Sequence, residues 1–161
     1  MDRVMTTKLE KYIDEKGLVE TSDPEIGKPI FRRPGFDGVP LLNELDRRLS
    51  EALREAREAT GLTMAEVAPF LGLHNQVYGR YERNETPMQV SRLIHLSEVL
   101  DFSPIDLIMA VAPSRLGKTQ SEADMRRKLI KVVESLPIDA VESGGLFEVA
   151  WDGAAGLGDL I

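Results

Sequence analysis

Apolar residues recur at three- and four-residue spacing along most of the chain, which is the spacing of helices that bury one face. The clearest stripe begins near Pro40, a residue type favoured in the first turn of a helix, and follows Leu42, Leu45, Leu49 and Leu53. The same spacing predicts further helices over residues 88–100, 104–111 and 122–136, and a shorter, interrupted one over 138–149. We therefore predict an all-α protein.

Two shorter helices are predicted between the long stripe and residue 88. Thr63 and Glu66 have the spacing of a capping box, which satisfies free N–H groups at a helix start. Pro69 shortens or kinks this helix, because proline removes a hydrogen bond and clashes with the preceding turn. Gly72 ends it, because glycine adopts a positive φ without steric cost.

The second short helix is predicted over residues 75–83, with Asn84 as a left-handed terminator and Pro87 preventing early resumption. Two short helices joined by a tight, glycine-containing turn form a helix-turn-helix unit. The second helix of such a unit fits the major groove of DNA.

Residues from about 53 to 108 resemble the Cro/C1-type (XRE-family) helix-turn-helix domain. The pieces that carry the resemblance are Arg57, Gly61-Leu62-Thr63, Val67-Ala68, Gly72-Leu73, Arg80-Tyr81-Glu82, Pro87 and Leu100-Asp101-Phe102-Ser103-Pro104. The resemblance implies a five-helix domain over residues 41–112. An N-terminal arm, partly irregular, would occupy residues 1–40, and a linker with a C-terminal helical segment and an apolar, acidic tail would occupy residues 113–161.

The resemblance also implies roles for side chains. Asn75, Gln76 and Arg80 match the family's base-reading positions, and their chemistry suits adenine and guanine edges. Contacts with the DNA backbone are expected from Thr63, His74, Arg83 and Asn84. A structural salt bridge between the first and third helices is expected from Arg57 and Glu82.

The N-terminal segment leaves two interpretations open. Residues 21–40 contain four prolines and three glycines, so we predict no regular element of length there, after one or two helical turns over residues 8–16. Arg32 and Arg33 could enter a minor groove, as basic arms do. Alternatively, Ile30 and Phe31 could pack the arm on its own domain and leave both arginines in solvent.

The negative net charge of the chain disfavours tight DNA binding. The net charge is −7, and residues 43–112 carry 7 basic and 11 acidic side chains. Because phosphate neutralisation supplies most non-specific affinity, we expect weak non-specific binding with a sharp salt dependence. Met64 replaces the polar residue usual in the family, and Glu85 would repel a phosphate.

The sequence excludes several classes of site. There are no cysteines, and the lone histidines His74 and His95 cannot form a zinc site by themselves, so neither metal nor cofactor is expected. No apolar run approaches the ~20 residues that span a bilayer, so we expect a cytoplasmic protein that contacts no membrane. Residues 112–119 resemble a phosphate-binding loop, but a helix precedes them and Ala112 replaces the first glycine, so we interpret them as a linker.

Together these patterns predict a sequence-specific regulator of transcription that binds double-stranded DNA as a homodimer on a two-fold-symmetric operator, as repressor or activator. The C-terminal tail could contact RNA polymerase or another protein. The alternative is a protein-interaction module of the same fold, such as an antitoxin or a polymerase-binding accessory factor. We expect no enzyme, because the sequence has no acid–base cluster, nucleophile elbow or metal-ligand spacing.

Overall fold

The computed structural model describes residues 7–137. The elements are, in order, α1 (Lys8–Lys16), β1 (Val19–Asp23), β2 (Ile26–Arg32), α2 (Leu42–Thr60), α3 (Met64–Val67), a 3-10 helix (Ala68–Leu71), α4 (Asn75–Glu82), α5 (Val90–Leu100), α6 (Pro104–Val111), a second 3-10 helix (Pro113–Arg115) and α7 (Gln120–Ser135). The helix predicted over 138–149 and the apolar, acidic tail lie outside the described residues.

The hydrophobic core lies among α2 to α5. Its members are the residues that the three- and four-residue spacing places on the inner helix faces: Leu53, Val67, Ala68, Leu71, Tyr78, Leu96 and Leu100. Tyr78, Leu53, Leu96 and Val67 are the largest of the fully buried side chains. This core fixes α4 against the long helix α2.

The prediction of an all-α protein is corrected by the N-terminal segment, because β1 and β2 form an antiparallel hairpin where residues were expected to be partly irregular. The described residues contain seven α-helices, of which α2 to α6 lie within the predicted domain of residues 41–112, together with the 3-10 helix. Pro29 does not prevent the hairpin, because it lies where the strand register shifts opposite Thr21 and Asp23, and proline is accommodated at bulges and edge strands.

The hairpin is tied to α2 by the side chain of Asp23. Its Oδ2 accepts from the backbone N–H of Leu42 at 2.8 Å, and its Oδ1 accepts from the N–H of Glu25 at 3.1 Å. These two backbone donors hold the pKa of Asp23 below its ordinary value, the Leu42 bond contributing most. Leu41, the residue at the start of α2, has no capping side chain, so Asp23 supplies a cap from a distant element.

Several local predictions about helix ends are confirmed. Thr63 and Glu66 form the capping box of α3, which ends at Val67 and continues as a 3-10 turn that contains Pro69. Ser103 caps α6, with Pro104 at its first position. At the start of α7 the hydroxyl of Thr119 accepts from the N–H of Glu122, so α7 begins at Gln120, before the predicted start at residue 122.

Polar contacts hold α7 against α6. Arg127 donates to both carboxylate oxygens of Asp106, at 2.6 and 2.9 Å, and Lys131 lies 3.3 Å from the same carboxylate. Ser103 donates to Glu134 at 2.7 Å. The bonds from Arg127 lower the pKa of Asp106, so that group stays ionised in the contact. Within residues 7–137, no helix combines the length and apolar character needed to cross a membrane.

Candidate nucleic-acid interface

The turn between α3 and α4 places the recognition helix. Gly72 ends the 3-10 segment with φ 66°, a left-handed conformation that favours glycine. The N–H of Leu73 then donates to the carbonyl of Ala68 at 3.0 Å, which closes the turn. The chain enters α4 at Asn75, so the predicted sequence of helix, tight turn and second helix is present.

One face of α4 is locked to α2 by a buried ion pair. Arg57 Nε donates to Glu82 Oε1 at 2.6 Å, and Arg57 Nη2 donates to Oε2 at 3.0 Å. Arg57 Nη1 also donates to the carbonyl of Leu62 at 2.7 Å. The side chains of Arg57 and Glu82 are only 10% and 3% exposed, and hydrogen bonding to Glu82 raises the pKa of Arg57. This bidentate pair fixes the rotation of α4 about its axis.

The opposite face of α4 is open to solvent. Asn75, Gln76 and Arg80, the residues predicted to contact bases, are all exposed. Gln76 and Arg80 are four residues apart and therefore lie on the same side of the helix, while Asn75 lies at its start. None of the three makes a side-chain hydrogen bond or ion pair to another described residue. Their polar groups are thus available to a ligand.

The four residues predicted to contact the DNA backbone lie around this face and differ in the hydrogen bonds that they make. Thr63 is exposed, but its hydroxyl both accepts from and donates to Glu66 within the capping box. His74 is exposed at the start of α4 and makes no capping bond there. Asn84 has φ 55°, the left-handed conformation predicted for it.

Arg83 is held by a carboxylate of the same chain. Its Nε donates to Glu85 Oε1 at 2.6 Å and its Nη2 donates to Oε2 at 3.1 Å, in a pair that is about half exposed. This hydrogen bonding lowers the pKa of Glu85, which remains an anion beside the proposed DNA-binding face. A phosphate would have to replace Glu85 to contact Arg83 in the same way.

Gly79 lies among the exposed residues of α4 but is itself covered by neighbouring side chains. Gly79 is buried, and a Cβ added there would lie 2.5 Å from Arg83 Nη1 and 3.5 Å from Met64 Sδ. The guanidinium of Arg83 therefore covers the helix backbone at this position. Met64, which replaces the polar residue usual in the family, packs against the same spot.

The comparisons with known proteins agree with this geometry. A family model described as helix-turn-helix matches residues 53–107, which run from Leu53 in α2 to the middle of α6. Residues 53–107 are a helix-turn-helix domain of the Cro/C1 type.

Curated relatives match a longer stretch. A Pyrococcus furiosus protein named, provisionally, as an HTH-type transcriptional regulatory protein is 28% identical over 95 residues, and a Thermococcus kodakarensis protein with the same kind of name is 30% identical over 95 residues. Each alignment covers 57% of this chain and 30% of the relative, so the matched part spans under a third of those proteins. No solved structure matches the chain significantly.

Arg32 and Arg33 lie outside the helix-turn-helix domain and bind carbonyls of their own chain. Arg32 Nη1 donates to the carbonyl of Pro40 at 2.5 Å, and Arg33 Nε donates to that of Lys16 at 3.0 Å. Phe31 is 44% exposed and Ile30 partly buried, so the segment packs on its neighbours only in part. These bonds favour an arm packed on its own chain over an arm free to enter a groove.

Sequence reasoning missed how the charges of the helix-turn-helix domain are paired. Glu85 carries a charge that repels a phosphate, and it also pairs with Arg83, two residues away. The short R-x-E spacing just past a helix end was a signal for that pair. Nothing in the local sequence signalled the burial of Gly79.

Proposed function

We propose that this chain is a transcriptional regulator that reads double-stranded DNA through α4, as a dimer on a two-fold-symmetric operator. The observation that carries the proposal is the division of α4 into two faces. Glu82 on the inner face is bound to Arg57, while Gln76 and Arg80 on the outer face are exposed and have no partner among the described residues. A rigid helix with free polar groups is what base reading needs.

The chemistry of the outer face supports specific roles. The amides of Asn75 and Gln76 can each bond the adenine edge at two points, and the guanidinium of Arg80 can bond O6 and N7 of guanine. His74 and the first N–H groups of α4 would lie against a phosphate, where the helix dipole favours negative charge. Arg83 would contact the backbone once it leaves Glu85.

Dimerisation would use α7. Met125, Leu129 and Val132 are 57%, 55% and 38% exposed on α7, and they follow a spacing of four and three residues. This spacing matches the seam between two helices that pack side by side. The stripe lies opposite Arg127 and Lys131, which hold α7 to α6, so no other part of residues 7–137 covers it. We expect Leu129→Lys to be monomeric, and an exposed control such as Lys128→Gln to remain dimeric. Sedimentation of the two variants tests this assignment.

In vitro selection from a random duplex pool at moderate salt tests DNA reading. We expect enrichment of a motif with two symmetric half-sites about one helical turn apart. On that motif, Arg80→Ala is expected to cost ~1–3 kcal/mol and to relax one base position, whereas Arg83→Ala should weaken binding to all sequences equally. Equal losses from Arg80→Ala on all sequences would contradict base reading by that residue.

The relatives support a role in transcription only by their names, because this chain matches 30% of their length.

A second candidate, a protein-interaction module of the same fold, is favoured by the charge of the domain. Residues 43–112 carry four more acidic than basic side chains, and Glu85 neutralises Arg83 beside α4. Absence of enrichment, with no binding at low salt, and a stoichiometric protein partner in pull-downs would replace the first proposal by this one.

A further inference from the structure

A cavity of about 470 Å³ lies at the end of α2 that is remote from the recognition helix. It is open to solvent on one side and is lined by the end of β2 and the chain that follows it, the first turns of α2, the end of α6, the 3-10 helix at Pro113–Arg115 and the start of α7. Its volume is in the range of small-molecule sites. Arg48 in its wall and Arg57 at α4 are separated by nine residues of helix, or about 14 Å along the axis. The cavity therefore does not belong to the proposed DNA-binding face.

The wall combines apolar and cationic surface. Phe36, Val39, Leu45 and Val111 supply apolar side chains. Four arginines also line it, namely Arg32, Arg33, Arg48 and Arg115, against two acids, Asp37 and Glu44. The balance of charge inside the cavity is thus positive in a chain whose net charge is −7.

The pairing of these charges leaves guanidinium groups available. Glu44 is fully engaged: Arg47 and Arg48 donate to its carboxylate, which lowers its pKa to about 2. Arg48 uses only its Nε in that contact, at 3.1 Å. Arg115 makes no side-chain hydrogen bond or ion pair within residues 7–137. Arg32 and Arg33 each donate one hydrogen bond, from one side-chain nitrogen, to a backbone carbonyl.

We propose that this cavity binds a small organic anion. Arg115 and the free nitrogens of Arg48 bind its carboxylate, phosphate or sulfonate group, and the apolar body of the ligand lies against Phe36 and Val111. Guanidinium groups bind such anions through charge-assisted, bidentate hydrogen bonds, which are the strongest that neutral-pH side chains make. A bound anion links the segment before α2 to the chain after α6, so it also stabilises the folded protein.

The test uses two fluorescent probes with the full chain. The first is 1-anilinonaphthalene-8-sulfonate, an aromatic anion, and the second is N-phenyl-1-naphthylamine, which has the same rings and no charge. We expect one molecule of the anion bound per chain. Arg115→Gln should weaken binding of the anion by about tenfold or more, from loss of hydrogen bonds to a charged group, and leave binding of the neutral probe unchanged. Val39→Trp, which fills the cavity, should remove both.

Two control variants separate this site from the apolar stripe of α7, which could also bind such probes. Lys128→Gln removes an exposed charge beside that stripe, and Leu129→Gln interrupts the stripe itself. Neither should change the affinity of the anion. The proposal is overturned if Leu129→Gln removes the binding and Arg115→Gln does not, or if Arg115→Gln weakens both probes equally. Because no step involves DNA, the outcome is independent of the DNA-reading proposal.

Discussion

Replacing Glu82 by alanine is expected to destabilise the protein by ~3–5 kcal/mol, because Arg57 is left as an unpaired, buried charge. The pair is 10% and 3% exposed, so water cannot take over the role of the lost carboxylate. Arg57 would keep its bond to the carbonyl of Leu62 at 2.7 Å and a contact of 3.5 Å with Glu58, whose side chain is 58% exposed. Domains typically have a free energy of unfolding of ~5–15 kcal/mol, so the loss is a large share of the total.

The cost should come from the orphaned charge rather than from the loss of a favourable pair. Replacing both partners by apolar residues of similar volume, as in Arg57→Met with Glu82→Leu, is therefore expected to recover most or all of the stability. Arg57→Lys should be tolerated less well than this double replacement, because an ammonium group cannot reproduce the bidentate geometry and the bond to Leu62 together.

Urea denaturation of the full chain, followed by far-UV circular dichroism, measures the free energy of unfolding of these variants. The reasoning is refuted if Glu82→Ala costs less than ~1 kcal/mol, which is the range of exposed pairs. It is also refuted if the double variant is as unstable as Glu82→Ala, since the damage would then lie in packing around α4.

Three further results are expected. Gly79→Ala should raise the free energy of unfolding by up to ~1 kcal/mol, from helix propensity, because the one close contact of its Cβ, at 2.5 Å, is with the movable guanidinium end of Arg83, whereas Met64 Sδ lies at an ordinary contact distance of 3.5 Å; destabilisation in the same urea assay would show that the site cannot adjust. Tyr78→Phe should change the free energy of unfolding by no more than ~1 kcal/mol, since the buried hydroxyl lies beside the Arg57–Glu82 pair but makes no hydrogen bond of good geometry among the described residues; a larger loss of stability would mean that the hydroxyl is bonded to Glu82 in solution. Asp106→Asn should make Tm depend less on pH at the acid end. Arg127 lowers the pKa of Asp106 in the folded protein. The contribution of Asp106 to stability is therefore complete above about pH 4 and is lost as the pH falls through the lowered pKa. An unchanged acid slope would exclude a role for this pair.

The sequence determined the helix-turn-helix domain because its signals are local. A capping box at Thr63 and Glu66, a glycine at position 72 and a Ser-Pro pair at 103–104 act within one helical turn, so their effect can be read without knowing the rest of the chain. The exposure of Asn75, Gln76 and Arg80 also followed from periodicity, once Tyr78 was recognised as facing the core.

Only the tertiary structure decided how distant groups meet. The prolines of the N-terminal segment predicted no strands where β1 and β2 form a hairpin. This hairpin supports α2 through the bond from the N–H of Leu42 to Asp23, nineteen residues away. The burial of Gly79 under Arg83, the engagement of Arg83 by Glu85 and the arginine-lined cavity depend on side-chain positions after packing. Such contacts have no sequence period, because they join elements whose separation is set by the fold and not by the helix repeat. Helix ends are therefore properties of this sequence, whereas the charges that remain free to bind a ligand are properties of its fold.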